Sequence, residues 1–179
     1  MKPELAMLER GITSTVVMFG SARIPEPSKK SEARTEALAG LSNYYDEARE
    51  FARLVTERSM RSYGRENVIV TGGGPGIMES GNRGAADAGG SYMSLNIVLP
   101  HEQVPNSYCS PDLCFNVHYF ATRKFHFLLR AKAIVVFPGG YGTLDELFET
   151  LTLIQTNRMK RMPILLYGEA FWRKIVNWD

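Results

Sequence analysis

The chain is 179 residues long, 44% hydrophobic and 22% charged, the profile of one soluble globular domain with its own core. Lys plus Arg at 21 against Asp plus Glu at 19 leave a net charge of +2, so no bulk charge recruits nucleic acid or a membrane surface, and an anion must be held locally. Cys109 and Cys114 are too few for a disulfide scaffold and lack histidines at zinc-ligand spacing; with charge and proline in Met1-Lys2-Pro3-Glu4-Leu5 and no run near the roughly 18 apolar residues of a membrane span, the expectation is a cytoplasmic protein without a metal site.

In chain order, Val16-Val17-Met18-Phe19 predicts a strand buried on both faces, and it ends on Gly20-Ser21. Pro25, Pro27 and Ser28 mark an extended loop. Beyond it Leu38, Leu41, Tyr45, Ala48, Ala52 and Val55 fall on one face at helical spacing, which predicts one long amphipathic helix between Ser31 and Tyr63. Val68-Ile69-Val70 is the second strand and runs into Thr71-Gly72-Gly73-Gly74-Pro75-Gly76. Small residues at Gly81, Gly84, Ala85 and Ala88 then let a helix approach its neighbours closely. Leu95-Asn96-Ile97-Val98 predicts a third strand, with His101-Glu102 behind it as a candidate border of a pocket. The Arg123-Lys124 pair follows, and Arg130 continues the same helical face.

Ile134-Val135-Val136-Phe137 is the fourth predicted strand, ending in Pro138-Gly139-Gly140-Tyr141-Gly142-Thr143, after which Leu144, Leu147, Phe148, Leu151 and Ile154 form an apolar helical stripe. Ile164 to Tyr167 is the fifth, and a helix begins at Ala170-Phe171-Trp172. Alternating strands and helices predict a Rossmann-like α/β fold, a doubly wound parallel sheet with helices on both faces. Residues 1–179 are expected to form one such domain, short of a last C-terminal helix.

Three of these strands run straight into glycine. In an open parallel sheet, loops at the carboxyl ends of the strands converge on one crevice. Glycine lets backbone approach a ligand, and the following helix offers unpaired N–H groups to an anion. Neither long loop carries the common fingerprints: Ile77 stands where G-x-G-x-x-G needs its last glycine, and no lysine precedes Thr143 as in a Walker loop. The bland alternative is that the glycines only make tight turns and permit close packing.

The segment Pro138-Gly139-Gly140-Tyr141-Gly142-Thr143-Leu144-Asp145-Glu146 resembles the P-G-G-x-G-T-x-x-E signature of the LOG family, the cytokinin riboside 5′-monophosphate phosphoribohydrolases long mislabelled as lysine decarboxylases. Gly20-Ser21-Ala22-Arg23, Gly72 to Glu79 and Thr122-Arg123-Lys124 match further motifs of that family in order, and Glu79 followed by Asn82-Arg83-Gly84-Ala85 resembles its broad bacterial branch. The resemblance implies hydrolysis of the N-glycosidic bond of a purine nucleoside 5′-monophosphate, AMP or an N6-modified AMP, by a homodimer that needs no cofactor. It implies catalytic roles for Arg123 and Glu146. Substrate and phosphate contacts would come from Gly20, Ser21, Gly73, Gly74, Gly76, Met78, Glu79, Lys124, Gly139, Gly140, Gly142 and Thr143.

Spacing alone leaves other readings open. Thr143-x-x-Glu146 is also a capping box, Arg123-Lys124 also a solvated helix face, and Met78, Phe120, Phe125, Phe127 and Trp172 are packing residues by type. Asp145 and Glu149 suit the helix dipole and solubility. Non-catalytic carriage of a nucleotide or of molybdenum cofactor on the same fold is the alternative function. A pyridoxal-phosphate decarboxylase would need a Schiff-base lysine in a suitable setting, which neither Lys124 nor Lys132 has.

Overall fold

The computed structural model describes residues 2–97 and 105–178. Six strands form one wholly parallel sheet: β1 Thr15–Phe19, β2 Val68–Thr71, β3 Tyr92–Ile97, β4 Cys114–Val117, β5 Ala131–Val136 and β6 Ile164–Leu166. Their order across the sheet is β4-β3-β2-β1-β5-β6. The chain therefore steps outward from β1 to β4, then returns to the other side of β1 with β5, which makes the gap between β1 and β5 the topological switch point. The helices are α1 Lys2–Glu9, α2 Glu36–Gly40, α3 Asn43–Met60, α4 Ile77–Asp87, α5 Phe120–Leu128, α6 Tyr141–Gln155 and α7 Glu169–Ile175. This is the doubly wound α/β architecture that strand–helix alternation predicts.

Alternating side chains of the central strands supply two cores. Val17, Phe19, Val70, Leu95, Ile134 and Val136 meet Met7 of α1, Phe127 of α5, Leu147 of α6 and Trp172 of α7 on one face. On the other, Val16, Met18, Ile69 and Val135 meet Tyr45, Ala48 and Ala52 of α3 and Ile77 and Ala85 of α4. The small-residue expectation for α4 holds: a Cβ on Gly84 would stand 2.0 Å from the Arg49 carbonyl oxygen and 3.0 Å from the Ala52 methyl. Helices α3 and α4 thus touch backbone to backbone. Among the described residues no helix is long and apolar enough to cross a membrane.

The structure corrects the sequence reading in several places. The stretch from Ser31 to Tyr63 is not one helix. A 3₁₀ turn, Pro27–Glu32, precedes α2, whose N-cap Thr35 accepts the Leu38 N–H at 3.2 Å, and α2 stops at Gly40 before α3 begins. A capping threonine starts a new helix, and a glycine is a poor residue to continue one. Strand β4 and helix α1 were not predicted: Cys114-Phe115-Asn116-Val117 lies at the sheet edge with mixed polarity, and only its pairing to β3 makes it a strand. Ile164–Leu166 is the opposite edge, with Leu165 42% exposed, rather than a strand buried on both faces. Val98, His101 and Glu102 lie outside the described residues.

Candidate active site

A cleft of 720 Å³ opens at the switch point. The loop after β1 (Gly20 to Arg23), the loop after β5 (Pro138 to Gly140) and the first turns of α6 form its mouth, and Gly72, Asn96, Arg123 and Phe127 line it deeper in. Leu38, Leu41, Phe171 and Ile175 add an apolar wall from α2 and α7. The broken helix thus delivers Leu38 and Leu41 to the cleft.

Helix α6 begins at an N-cap, Gly140, that supplies no side-chain bond. The N–H groups of the first turn, Tyr141, Gly142 and Thr143, have no intrahelical acceptor in such a helix, and the macrodipole favours an anion in front of them. Cβ atoms on Gly140 or Gly142 would meet nothing within 4 Å among the described residues, whereas one on Gly139 would strike the Thr143 hydroxyl at 2.1 Å. Gly139 therefore makes room for Thr143, and the other two border open space. Thr143 is the third helical residue and not the cap, so Thr143 and Glu146 form no capping box.

Glu146 is 6% exposed, and among the described residues no donor bonds to its carboxylate. Burial pushes that carboxyl up to about 7, against the pull of Lys124 and Arg123, while Asp145 and Glu149 push it the same way as burial does. Both protonation states are populated near neutrality, as general acid–base chemistry favours. Arg123, from α5, is not on a solvated face. Its Nε donates to the Leu95 carbonyl at 2.8 Å and its Nη2 to the Gly72 carbonyl at 3.2 Å, pinning it across the ends of β3 and β2. The guanidinium carbon stands 5.2 Å from the centroid of the Phe127 ring. Burial pulls the Arg123 pKa down, with Glu146 opposing. Nη1 carries no bond among the described residues, which leaves a donor for the cleft. Arg130 likewise leaves the supposed exposed face to pair with Glu4 of α1.

Of the residues expected to contact substrate, the cleft brings together Gly20, Ser21, Met78, Gly139, Gly140, Gly142 and Thr143 with Arg123 and Glu146. Lys124 is not on its wall. Its ammonium pairs with Asp145 at 2.8 Å and with Glu149, so these acids hold a lysine rather than merely serving the dipole and solubility. Gly73 and Gly74 are buried beneath Asn106, whose Nδ2 donates to both carbonyls at 3.0 and 2.9 Å. Gly76 has φ +67, and its missing Cβ would lie 2.4 Å from the Ser21 carbonyl, to which Ile77 N–H donates. Glu79 faces a second cavity of 440 Å³ and accepts a 2.8 Å bond from the Tyr45 hydroxyl, whose pKa burial raises. Sequence reasoning missed Asn96 and Asn106. Asn96 stood inside a predicted strand, where its polarity in an apolar run was the available signal, and Asn106 had none.

Fold and cleft define an α/β protein that presents an open helix terminus, a buried carboxylate and a pinned guanidinium to one ligand space. Residues 78–179 match the family model described as "Possible lysine decarboxylase", and the chain belongs to that family. It is also homologous to LOG-family proteins. It is 28% identical over 113 residues to the rice (Oryza sativa subsp. japonica) protein named "Probable cytokinin riboside 5'-monophosphate phosphoribohydrolase LOGL5", covering 62% of this chain and 44% of that one. Identity to "Cytokinin riboside 5'-monophosphate phosphoribohydrolase LOG2" of Arabidopsis thaliana is 24% over 137 residues, 75% and 60% of the two chains. The chain spans about half the length of the curated relatives it matches. In fold, 91% of it superimposes on 82% of the molybdenum cofactor binding protein from the phototrophic bacterium Rippkaea orientalis, with a TM-score of 0.54 at 17% identity.

Proposed function

We infer that the chain hydrolyses the N-glycosidic bond of purine nucleoside 5′-monophosphates, AMP or N6-modified AMP, to free base and ribose 5-phosphate. The observation that carries this reading is Glu146, a buried carboxyl poised near neutrality, sharing a cleft with pinned Arg123 and an unoccluded helix start. The 5′-phosphate sits before the first turn of α6, on the Gly140, Tyr141 and Gly142 backbone and the Thr143 hydroxyl. The Glu146 carboxylate then stabilises the cationic sugar at C1′ and takes a proton from the attacking water. As the C1′–N bond breaks, the electron pair leaves with the base, which Arg123 steadies through Nη1 and which collects the proton. The carboxylate is regenerated, and water supplies the new C1′ hydroxyl.

The reading extends to the broad bacterial branch of the family, to residues 1–179 as one catalytic α/β unit and to a cytoplasmic setting. It also extends to a homodimer through α5 and α6, where Phe125 and Phe148 are 57% and 45% exposed. Incubating the protein with AMP and isopentenyl-AMP and resolving the bases by chromatography tests it, with Glu146→Gln and Arg123→Ala as inactive, folded controls. No base from any nucleoside monophosphate sinks the hydrolase. Tight nucleotide or molybdenum-cofactor binding without turnover establishes the carrier instead.

A further inference from the structure

We propose that Lys124 is a positioning residue for Glu146: by bridging Asp145 and Glu149 it straps α5 onto α6, holding Glu146 and Arg123 on one cleft and compensating the negative charge beside Glu146. The proposal rests on the hydrolase reading for its consequence in rate, and on geometry for the strap itself.

Adjacent helical residues point about 100° apart, so Arg123 reaches inward to the strand carbonyls of Leu95 and Gly72 while Lys124 reaches sideways to α6. Asp145 and Glu149 are four residues apart and share a face of α6, and Glu146 lies beside that face, in the cleft. No hydrogen bond or ion pair among the described residues joins Arg123 to Glu146 directly, and the Glu146 carboxylate has no donor of its own. Lys124 therefore ties the helix carrying one group to the helix carrying the other. Its side chain is 15% exposed, against 54% and 37% for Asp145 and Glu149, so the ammonium is the shielded member of the trio.

The groups acting on Glu146 are Lys124 and Arg123 from α5 and Asp145 and Glu149 from its own helix; Arg23, from the loop after β1, lines the same cleft. Lys124 is the foremost of those favouring ionisation, and Asp145 and Glu149 oppose it. Without the lysine both neighbours lose their counter-charge, and Glu146 keeps its proton to higher pH. A ligand role for Lys124 would look different, because a phosphate contact changes affinity without moving the glutamate.

The test titrates the Glu146 side-chain carboxyl by carbon-13 NMR, assigned from its absence in Glu146→Gln, alongside the pH dependence of base release from AMP. Lys124→Met should move the Glu146 midpoint upward by about one pH unit. The kcat should fall about fivefold near pH 7 and recover at alkaline pH, with KM for AMP little changed. Lys124→Arg keeps both ion pairs and should restore midpoint and rate. Should Lys124→Met not fold, Asp145→Asn/Glu149→Gln gives the opposite shift, a lower Glu146 midpoint. An unmoved midpoint in the folded variants overturns the proposal, as does a loss confined to KM and phosphate affinity. A wild type that releases no base while the midpoint still moves removes the hydrolase and leaves the strap standing.

Discussion

Replacing Glu146 with Gln should make the protein more stable above neutral pH and leave its stability in acid unchanged. The carboxyl is 6% exposed and is pushed from its ordinary 4.5 to about 7, chiefly by burial. A group that holds its proton more tightly folded than unfolded favours the fold fully below its unfolded pKa, and that advantage is lost as pH rises through the folded value. Relative to acid, the native protein therefore loses stability between 4.5 and about 7 and holds a constant deficit beyond. At about 1.36 kcal/mol per pH unit the deficit is about 3 kcal/mol, or about 6–12 °C of melting temperature for a chain of this size. Glutamine has the shape of the protonated acid and no charge to desolvate, so it removes the deficit and, with it, the proposed chemistry. Urea denaturation of both proteins at about pH 4 and about pH 8.5 is the assay. A variant no more stable than wild type at the higher pH refutes the argument from desolvation. An equal gain at both pH values assigns the effect to packing instead of charge.

Gly84→Ala should lower stability by about 1–3 kcal/mol, read as a lower urea midpoint, despite alanine's better helix propensity, because its Cβ would stand 2.0 Å from the backbone oxygen of Arg49; an unchanged midpoint would mean that α3 and α4 separate at little cost. Gly142→Ala has open space for its Cβ, so it should fold as stably as wild type or gain up to about 1 kcal/mol, yet bind AMP at least about tenfold more weakly by calorimetry because the methyl fills the phosphate position. Full affinity in that variant would move the phosphate away from the start of α6.

The central strands were legible because β-branched runs such as Val68-Ile69-Val70 have one physical use, burial on both faces of a sheet. Periodicity was less informative where two structures share it. Leu38, Leu41 and Tyr45 keep helical spacing whether one helix runs through them or two meet at Gly40, and only Thr35, folding back on the Leu38 N–H, separates the cases. Edge strands escape for a related reason. Among the described residues one side of β4 has no strand partner, so its sequence need not be apolar, and the hydrogen bond that Asn96 Nδ2 donates to Asn116 Oδ1, which helps join it to β3, leaves no pattern in either segment. In the site, Arg123 was readable as a motif but not as a structure, since its partners are the backbone carbonyls of Leu95 and Gly72, which every residue type carries. Lys124 and its two acids were visible individually. Their union depends on how α5 crosses α6, which no spacing within either helix encodes.

The two glycine-rich loops show how far residue type determines role. Both follow a buried strand and precede a helix, and both looked like anion cradles. What distinguishes them is the matter that occupies the place of each missing Cβ. At Gly73 it is Ser94 and Asn96, at Gly76 the backbone of Ser21 and Ala22, and at Gly72 the guanidinium of Arg123 and the sulfur of Met78. Protein fills the space these glycines vacate, and Asn106 satisfies the carbonyls of Gly73 and Gly74 from above. This loop therefore acts as a joint, bringing the Ser21 loop, β3 and Arg123 to fixed positions around the cleft. At Gly140 and Gly142 nothing among the described residues fills the vacated space or caps the helix with a side chain, and the cleft opens directly onto it. The same residue type thus lets the protein pack against itself at one strand end and leaves room for a ligand at the other, and only the second arrangement makes Gly142→Ala a test of binding rather than of folding.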